Sequence, residues 1–438
     1  VIVHSKKEQR LIISVSFFLK AKKTKKAKNL KNVMEENVLM KKFFVREKFF
    51  KSVTIKIKHN KLTLIAISIF LILIVSFIGI KAIQKSQNSN NQDIVESIGD
   101  NNNTSNNINN DYQAGNENTS TVKKEEPFII PLEGIRPYAV MIDNEGVLCL
   151  PQGGLHKAQV IYEIIVEGGE TRLMPIFWNS ETDAEADAEP SAKETNKTDL
   201  LIGPVRSSRH YFLDYVLEHD AIYVHFGWSP KAMNDIPKLK INNINGVANG
   251  GDIFWDITKN PNNWQDSYTS MNKIIKYVEK VKYRTETDKK NVLSYSKKEI
   301  ELNDGIDALN ILIKYNQINT SKYIYDSEKK EYNRLRKGKP HMERTTEGQL
   351  KAKNIIIQFN KNYTIEGDKE DRQEVKTTGN GNGWYITNGK AIEINWAKKS
   401  RSEPTIYTDG NGNPINLNLG QTWIQVVPTF GTVEISNE

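Results

Sequence analysis

An apolar run without a charged residue constrains this chain more than any other feature of its sequence. The run covers residues 62–80, reads LTLIAISIFLILIVSFIGI, and lies between Lys61 and Lys81. A helix of this length, at about 1.5 Å per residue, spans roughly 28 Å, which is close to the hydrocarbon thickness of a bilayer. The run is long for a signal-peptide core, and no small-x-small cleavage site follows it. The sequence therefore predicts a retained membrane-spanning helix at 62–80.

The charged residues are distributed unevenly on the two sides of this run. Residues 1–61 contain 18 Lys and Arg against 4 Asp and Glu, whereas the whole chain has a formal net charge of +8. The positive-inside rule places such a basic leader in the cytoplasm and residues 81–438 outside the cell. The part outside is mildly acidic, so no nucleic-acid partner is expected. We therefore predict a single-pass protein of the cell membrane, with the membrane as its first partner.

Composition divides the predicted extracellular residues into a linker and two folded segments. Residues 81–126 are rich in Asn and Ser and poor in aromatic and branched apolar residues, which predicts a disordered linker. Two segments with strand and turn signals follow at 127–284 and 302–438, and each is predicted to be a domain. The single cysteine, Cys149, excludes a disulfide framework and lies among apolar neighbours, so we expect a buried, inert thiol.

The two segments differ in their predicted secondary structure. In the first, strand-like apolar runs alternate with helical periodicity, which favours a mixed α/β domain interrupted by an exposed polar loop at 179–199. Its predicted strands are 138–143, 160–166, 171–178 and 221–226, and its predicted helices are 205–218, 230–239 and 269–281. The second segment has short alternating runs separated by turn signals such as Asn388-Gly389, which predicts a mostly antiparallel β domain. The predicted fold class is therefore α+β.

Four residues of the first segment are candidates for acid–base chemistry. Alternation along a strand at 160–168 would place Glu163 and Glu167 on one face, with their backbones roughly 13 Å apart. That separation exceeds the carboxylate spacing of retaining and inverting glycosidases, so the two are not expected to act as a pair. Either could instead pair with Asp143 on a neighbouring strand. His225 ends a predicted strand, where a histidine can serve as a base or lie there for structural reasons.

The motif GPVRSSR at 203–209 is the densest polar sequence of the chain. If it opens a helix, Arg206 and Arg209 share a face near free backbone N–H groups, which is a typical site for phosphate or carboxylate. The alternative is that these arginines pair internally with Glu163 and Glu167. The predicted ligand-binding residues are Arg172, Arg206, Ser207, Arg209 and Ser229.

Signals for cofactor chemistry are missing from the sequence. It contains no HExxH motif, its histidines are scattered, and no GxSxG elbow surrounds a serine. His341, in GKPHMERT, is an isolated loop histidine with no such partner nearby in the sequence. We therefore predict neither a metal site nor a bound cofactor.

A series of short motifs runs in a fixed order through the predicted extracellular part. They include RPYAVMIDN at 136–144, PQGGL at 151–155, YExxVEGGxTR at 162–172, GPVRSSRxYF at 203–212, HFGWSP at 225–230 and YNRLRKGKPH at 332–341. These motifs resemble the YerB-like lipoprotein family of Gram-positive bacteria, which has a two-part domain of unknown function. The resemblance implies a location on the outer face of the cytoplasmic membrane and brings no established activity. Members usually carry a lipobox cysteine, whereas here no cysteine stands directly after the apolar run, which leaves the helix as the anchor.

Three classes of function stay open from the sequence. The first is a non-enzymatic envelope protein that binds an anionic or polar wall-associated ligand, or a membrane-protein partner, at the arginine cluster. The partner would then be a cell-wall polymer or another envelope protein. The second is a cell-wall hydrolase or transferase that uses the carboxylate candidates, assisted by His225. The third is a scaffold in which the arginines and glutamates form an internal network. Carboxylates that converge with His225 in a cleft would favour catalysis. Exposed guanidinium groups would favour a binding site, and arginine–glutamate pairs buried inside the protein would favour a scaffold.

Overall fold

A computed structural model describes residues 128–178, 199–260 and 262–437. The predicted leader at 1–61, the predicted membrane helix at 62–80 and the predicted linker at 81–126 lie outside these residues, as does nearly all of the polar tract at 179–199. Within the described ranges, no helix combines the length and the apolar character needed to cross a bilayer. The described part of the chain is mostly β with few helices.

The first segment contributes nine short strands and four α-helices. The strands are β1 (Tyr138–Val140), β2 (Ile142–Asn144), β3 (Val160–Ile165), β4 (Thr171–Phe177), β5 (Leu201–Ile202), β6 (Ile222–His225), β7 (Asn243–Asn245), β8 (Trp255–Asp256) and β9 (Ser267–Ser270). The helices are α1 (Phe212–Glu218), α2 (Pro230–Lys238), α3 (Gly246–Asn249) and α4 (Met271–Val281), with 3-10 turns at Leu155–Lys157 and Glu167–Gly169. Two of the predicted helices, 230–239 and 269–281, are therefore confirmed as α2 and α4.

The second segment consists of strands within the described ranges. One strand, β10 (Ser294–Ser296), lies between the two segments. The strands of the second segment are β11 (Ile306–Asp307), β12 (Asn310–Lys314), β13 (Thr320–Asp326), β14 (Glu331–Arg336), β15 (Lys339–Pro340), β16 (Lys351–Ala352), β17 (Asn354–Asn360), β18 (Asn362–Thr364), β19 (Gln373–Val375), β20 (Gly379–Thr387), β21 (Lys390–Lys398), β22 (Ile406–Thr408), β23 (Asn416–Asn418), β24 (Thr422–Pro428) and β25 (Thr432–Ser436). Strands β12–β16 and β25 form an antiparallel six-stranded sheet, as the turn signals predict.

A twelve-stranded sheet runs through both segments. Its main order is β11-β21-β20-β17-β24-β3-β4-β1-β6-β7, with β2 added on β4 and β22 on β21. Strand β24 of the second segment lies parallel to β3 of the first, with Thr422 opposite Val160. The two segments predicted as separate domains thus share one sheet, and their described residues fall in one compact unit. The domain boundaries themselves stay a prediction.

Strand β3 is buried at every one of its six positions because both faces of the sheet are covered. On one face Tyr162 packs against Tyr215 of α1, with ring centroids 4.6 Å apart. On the other face the backbone oxygen of Glu163 accepts a hydrogen bond from the Tyr315 hydroxyl, which follows β12 of the six-stranded sheet. The chain therefore has a layered architecture in which the six-stranded sheet and α1 cover opposite faces of β3.

The predicted helix at 205–218 is wrong in its first half. The helix begins only at Phe212, and the preceding residues form backbone bridges instead, Val205 with Ile142 and Ser208 with Trp228. The Arg206 amide donates to the Met141 carbonyl oxygen at 2.8 Å. Backbone groups committed to neighbouring strands cannot also form a helical turn, so the GPVRSSR motif is extended.

Candidate functional site

Arg206 lies at the surface, where the extended GPVRSSR motif passes the end of β2. Its Nε is 2.9 Å from Oδ2 of Asp143, a fully buried carboxylate, and its guanidinium carbon lies 4.0 Å from the ring centroid of Trp264. The Gln265 amide donates to the same Asp143 oxygen at 2.8 Å and to the Glu145 carbonyl oxygen at 2.8 Å. We call Asp143, Glu145, Arg206, Trp264 and Gln265 the Arg206–Trp264 surface.

The groups of this surface differ in their exposure to solvent. The Arg206 side chain is 22% exposed, and the Glu145 side chain, 3.8 Å from it, is 42% exposed. Trp264 is 38% exposed although a guanidinium covers part of its ring. Partial burial and the nearby Asp143 charge raise the pKa of Glu145 above its ordinary value. A fixed guanidinium, an accessible aromatic ring and a carboxylate therefore meet at one place on the surface.

The other two arginines of the predicted cluster, Arg172 and Arg209, interact with groups inside the protein. Arg209 donates from Nε to Glu167 at 2.8 Å, and its Nη2 forms a second bond to the same carboxylate. Arg172 donates to the backbone oxygen of Ser207 at 2.5 Å, and its Nη2 is 3.6 Å from Glu167. The Ser207 hydroxyl donates to the Phe226 carbonyl oxygen at 3.0 Å. Arg172, Ser207 and Arg209 therefore stabilise the turn around Glu167.

The anion site predicted at a helix N-terminus does not form. Helix α1 begins at Phe212, after both arginines, and it is only seven residues long. The predicted pairing of Glu167 with an arginine is found at Arg209, whereas Glu163 has a different partner. Glu167 also lies in a 3-10 turn beyond the end of β3, so the predicted common strand face of Glu163 and Glu167 is wrong.

Glu163 is buried in a polar network that reaches into the second segment. Its Oε2 accepts a hydrogen bond from Arg334 at 2.6 Å, and neither side chain is exposed. Arg334 also donates to the Ser321 hydroxyl, the Tyr323 hydroxyl and His341 Nδ1, at 3.0, 2.5 and 3.0 Å. Glu163 therefore has no access to a substrate from solvent.

A second arginine of the same strand extends this network. Arg336 donates to the side-chain and backbone oxygens of Asn144, at 2.8 and 2.5 Å. The His341 Nε2 lies 2.8 Å from the Gln152 oxygen, which joins the network to the PQGGL motif. Neither Arg334 nor Arg336 is among the residues predicted from single motifs, but they stand two positions apart in YNRLRKGKPH, as residues on one face of a strand do.

His225 and Ser229 have structural partners of their own. The His225 Nδ1 is 2.7 Å from the Gly227 carbonyl oxygen, and its Nε2 is 3.1 Å from the Asn243 side-chain oxygen. Burial lowers the pKa of His225 to about 4. The Ser229 hydroxyl accepts from the Ala232 amide at 3.3 Å and so caps α2. The four acid–base candidates therefore do not converge in one cleft.

The potential metal-ligand side chains of the described ranges are dispersed. These ranges contain no group of three or more His, Cys, Asp or Glu side chains arranged to hold an ion. Cys149 is fully buried, and burial, reinforced by the Asp143 charge, raises the pKa of its thiol to about 12. A thiol with such a pKa stays protonated at neutral pH and is a poor nucleophile.

Comparison with known proteins agrees with the motif resemblance. Two family models described as "Protein of unknown function (DUF3048)" match this chain. The N-terminal domain model matches residues 130–284, and the C-terminal domain model matches residues 311–424. The chain is 30% identical over 306 residues to "Putative lipoprotein YerB" of Bacillus subtilis strain 168, across 69% of this chain and 84% of that protein. The crystal structure of YerB from Bacillus subtilis aligns with a TM-score of 0.56 and 28% identity, over 69% of this chain and 94% of that chain. The chain belongs to the DUF3048 family.

Proposed function

We propose that this protein is a cell-envelope protein, anchored at the outer face of the membrane by residues 62–80, that binds a neutral polar cell-wall ligand at the Arg206–Trp264 surface. The envelope location is supported by the relative described as a lipoprotein and by the uncharged run of this chain. The basic leader at 1–61 supports a cytoplasmic N-terminus. The expected ligand is a glycan strand of the wall.

The observation that carries the binding proposal is the stacking of Arg206 on an exposed Trp264. The guanidinium carbon of Arg206 is 4.0 Å from the Trp264 ring centroid. The Arg206 Nε is 2.9 Å from Oδ2 of Asp143, and this ion pair fixes the position of the guanidinium. A side chain held in place before binding loses little conformational freedom when a ligand arrives. An aromatic ring beside hydrogen-bonding groups suits a sugar, which has an apolar C–H face and polar hydroxyls.

The charges of this surface favour a neutral ligand over an anionic polymer. Asp143 and Glu145 both lie within 4 Å of Arg206, so two carboxylates face one guanidinium. Arg172 and Arg209, the other arginines of the predicted cluster, are already paired with Glu167. A polyanion would therefore meet at least as much negative as positive charge here.

The test is cosedimentation of the purified full chain, in mild detergent, with cell-wall sacculi stripped of anionic polymers. We expect Trp264→Ala to lower the bound fraction at least fivefold. The matched control is Trp255→Ala, because Trp255 is 37% exposed and also lies beneath a cation, with Lys273 Nζ 5.5 Å from its ring centroid. Equal loss with both variants, or no loss with Trp264→Ala, would contradict the proposal.

Salt dependence separates the neutral ligand from an anionic one. Binding of a neutral glycan should change little when NaCl is raised to 0.5 M, because screening acts on charge pairs. If binding instead requires the anionic polymers and disappears at high salt, the ligand is anionic and the proposal of a neutral ligand is wrong.

The membrane anchor has its own test. Intact cells treated with external protease should lose epitopes in residues 128–437 and keep an epitope in residues 1–61. Full-length protein in the soluble cytoplasmic fraction, or loss of both epitopes, would contradict the proposed single-pass orientation.

A scaffold role is the second candidate, and the buried Glu163–Arg334 pair favours it. Such a pair holds the first and second segments together without contact to a ligand. If sacculi are not bound by the unmodified chain, this role becomes the leading one. The hydrolase or transferase alternative has no comparable observation in its favour, since Glu163, Glu167 and His225 are engaged by separate partners.

A further inference from the structure

A second polar surface lies on the outer face of β20, β21 and β22. It contains a groove of about 370 Å³ lined by Asn380, Gly381, Asn395, Trp396, Ala397, Ile406 and Thr408. A smaller cavity shares Asn395 and adds Asn382, Trp384 and Glu393. We call the surface formed by Asn380, Asn382, Trp384, Asn395 and Thr408 the asparagine groove.

The strand register sets the order of these side chains. Asn382 is opposite Asn395, and Asn395 is opposite Thr408 on the next strand, so these three residues form one row across the sheet. Trp384 is opposite Glu393 in a neighbouring row. The row is therefore fixed by backbone pairing on three strands and does not depend on a loop.

Packing on the inner face explains Gly381 and Gly383, two of the three glycines in the sequence GNGNGW at 379–384. A Cβ added at Gly383 would lie 1.9 Å from the Ile357 carbonyl oxygen, and one at Gly381 would lie 2.7 Å from the Trp396 ring nitrogen. These positions accept no side chain because β17 and the indole ring occupy the space. The asparagines between them point outward, so inner-face packing does not account for them.

The asparagine side chains face solvent without hydrogen-bond partners in the described part of the protein. Across the described ranges, the carboxamides of Asn380, Asn382 and Asn395 form no hydrogen bond with another protein group, and all three residues are exposed. Asparagine is among the residues that strands disfavour. Three of them on one rigid face, each with two free N–H groups and a free oxygen, indicate a surface built for hydrogen bonding.

We propose that the asparagine groove binds an uncharged polysaccharide chain. Carboxamide donors and acceptors match the alternating roles of sugar hydroxyls, and Trp384 offers part of a ring to a sugar face. The cavity volume lies in the range of about 300–1,000 Å³ found for small-molecule sites. Over the described residues, the lining holds one charged side chain, Glu393, and no Lys or Arg, so the groove offers an anionic polymer no partner.

This proposal does not depend on the Arg206–Trp264 surface, since it uses none of its residues. The test is isothermal titration of the full chain in detergent with three uncharged tetrasaccharides: chitotetraose, cellotetraose and maltotetraose. For at least one of them we expect Asn382→Ala/Asn395→Ala to weaken the Kd at least tenfold. The matched control is Asn333→Ala, on β14 of the other sheet, whose carboxamide is likewise free among the described residues.

Two further measurements keep the outcomes distinct. The melting temperature of the double variant should match that of the unmodified chain, and if it does not, Asn395→Ser replaces it as the test. Titration of Trp264→Ala separates the two surfaces: an unchanged Kd there, with a weakened Kd in the double variant, supports the asparagine groove. Loss with Trp264→Ala alone assigns the sugar to the other surface and overturns this inference, as does the absence of binding for all three sugars.

Discussion

Glu163 and Arg334 form a 2.6 Å ion pair in which neither side chain has any solvent exposure, although 171 positions separate them in the chain. The guanidinium also lies 4.2 Å from the ring centroid of Trp423. Glu163 lies on β3 and Trp423 on β24, which are neighbours in the twelve-stranded sheet, whereas Arg334 comes from the six-stranded sheet. One buried contact therefore joins the two sheets, and it also joins the segments that match the N-terminal and C-terminal domains of the family.

The first prediction concerns this pair. Replacing Arg334 with Met should lower the free energy of unfolding by about 3–5 kcal/mol, because the buried Glu163 charge is left without its partner. The loss should appear as an earlier midpoint in urea unfolding, with both segments still unfolding in one transition. Lys314→Met is the control, since Lys314 pairs with Glu434 where both side chains are at least 40% exposed. Such a surface pair contributes about 0–1 kcal/mol. Two separate transitions in the unmodified chain would contradict the shared core.

The second prediction is a pH dependence that originates at His341. Arg334 Nε can only donate, so His341 Nδ1 must accept and the ring must be neutral. Burial, followed by the charges of Arg334 and Arg336, lowers the pKa of His341 well below its ordinary value. Below about pH 6.5 the unfolded chain therefore binds a proton that the folded chain does not bind, so stability falls as the pH falls.

The size of this effect follows from linkage. Each pH unit below about 6.5 costs about 1.4 kcal/mol, which amounts to about 2 kcal/mol between pH 7 and pH 5. The difference in unfolding free energy between these two pH values should shrink by that amount in His341→Asn, whose side-chain oxygen can accept from Arg334 without titrating. An identical pH dependence in both proteins would show that His341 titrates normally.

Sequence patterns predicted the buried strands well because their signal is local. The runs at 160–166 and 171–178 became β3 and β4, and the caps of α2 and α4 lie within two residues of their predicted starts. Predictions from local patterns are wrong where the interaction partner of a residue is distant in the sequence. Local alternation relates Glu163 to Glu167, four residues away, whereas the partner of Glu163, Arg334, comes from another sheet.

The GPVRSSR motif shows the same limit for backbone structure. Its apolar spacing agrees with a helix, but Val205 and Ser208 form bridges with Ile142 and Trp228, which no local pattern indicates. The Arg206–Trp264 surface combines residues from three separate stretches of the chain for the same reason. The sequence identified Arg206 as a candidate and gave no signal for Trp264.

The third prediction tests the tight approach of β20 to β17. Gly383→Ala should destabilise the protein by about 1–3 kcal/mol, because the added methyl group would overlap the Ile357 carbonyl oxygen and push the strands apart. Gly410→Ala is the control, since an added Cβ there meets nothing within 4 Å. Thermal unfolding measures both variants, and equal melting temperatures would mean that β20 can shift without cost.

The last prediction separates the paired arginine from the proposed ligand surface. Arg209 is 8% exposed in its side chain and makes two bonds to Glu167, so Arg209→Ala should lower the unfolding free energy by about 1.5–3 kcal/mol. A double-mutant cycle with Glu167→Ala should then give a coupling energy of about 0.5–3 kcal/mol, because each partner loses its role when the other is absent. Trp264→Ala, at an exposed position, should change stability by less than about 0.5 kcal/mol and should lower wall binding. If Arg209→Ala instead leaves stability intact and abolishes wall binding, Arg209 belongs to the ligand site, and the division between a closed pair at Glu167 and an open surface at Trp264 is wrong.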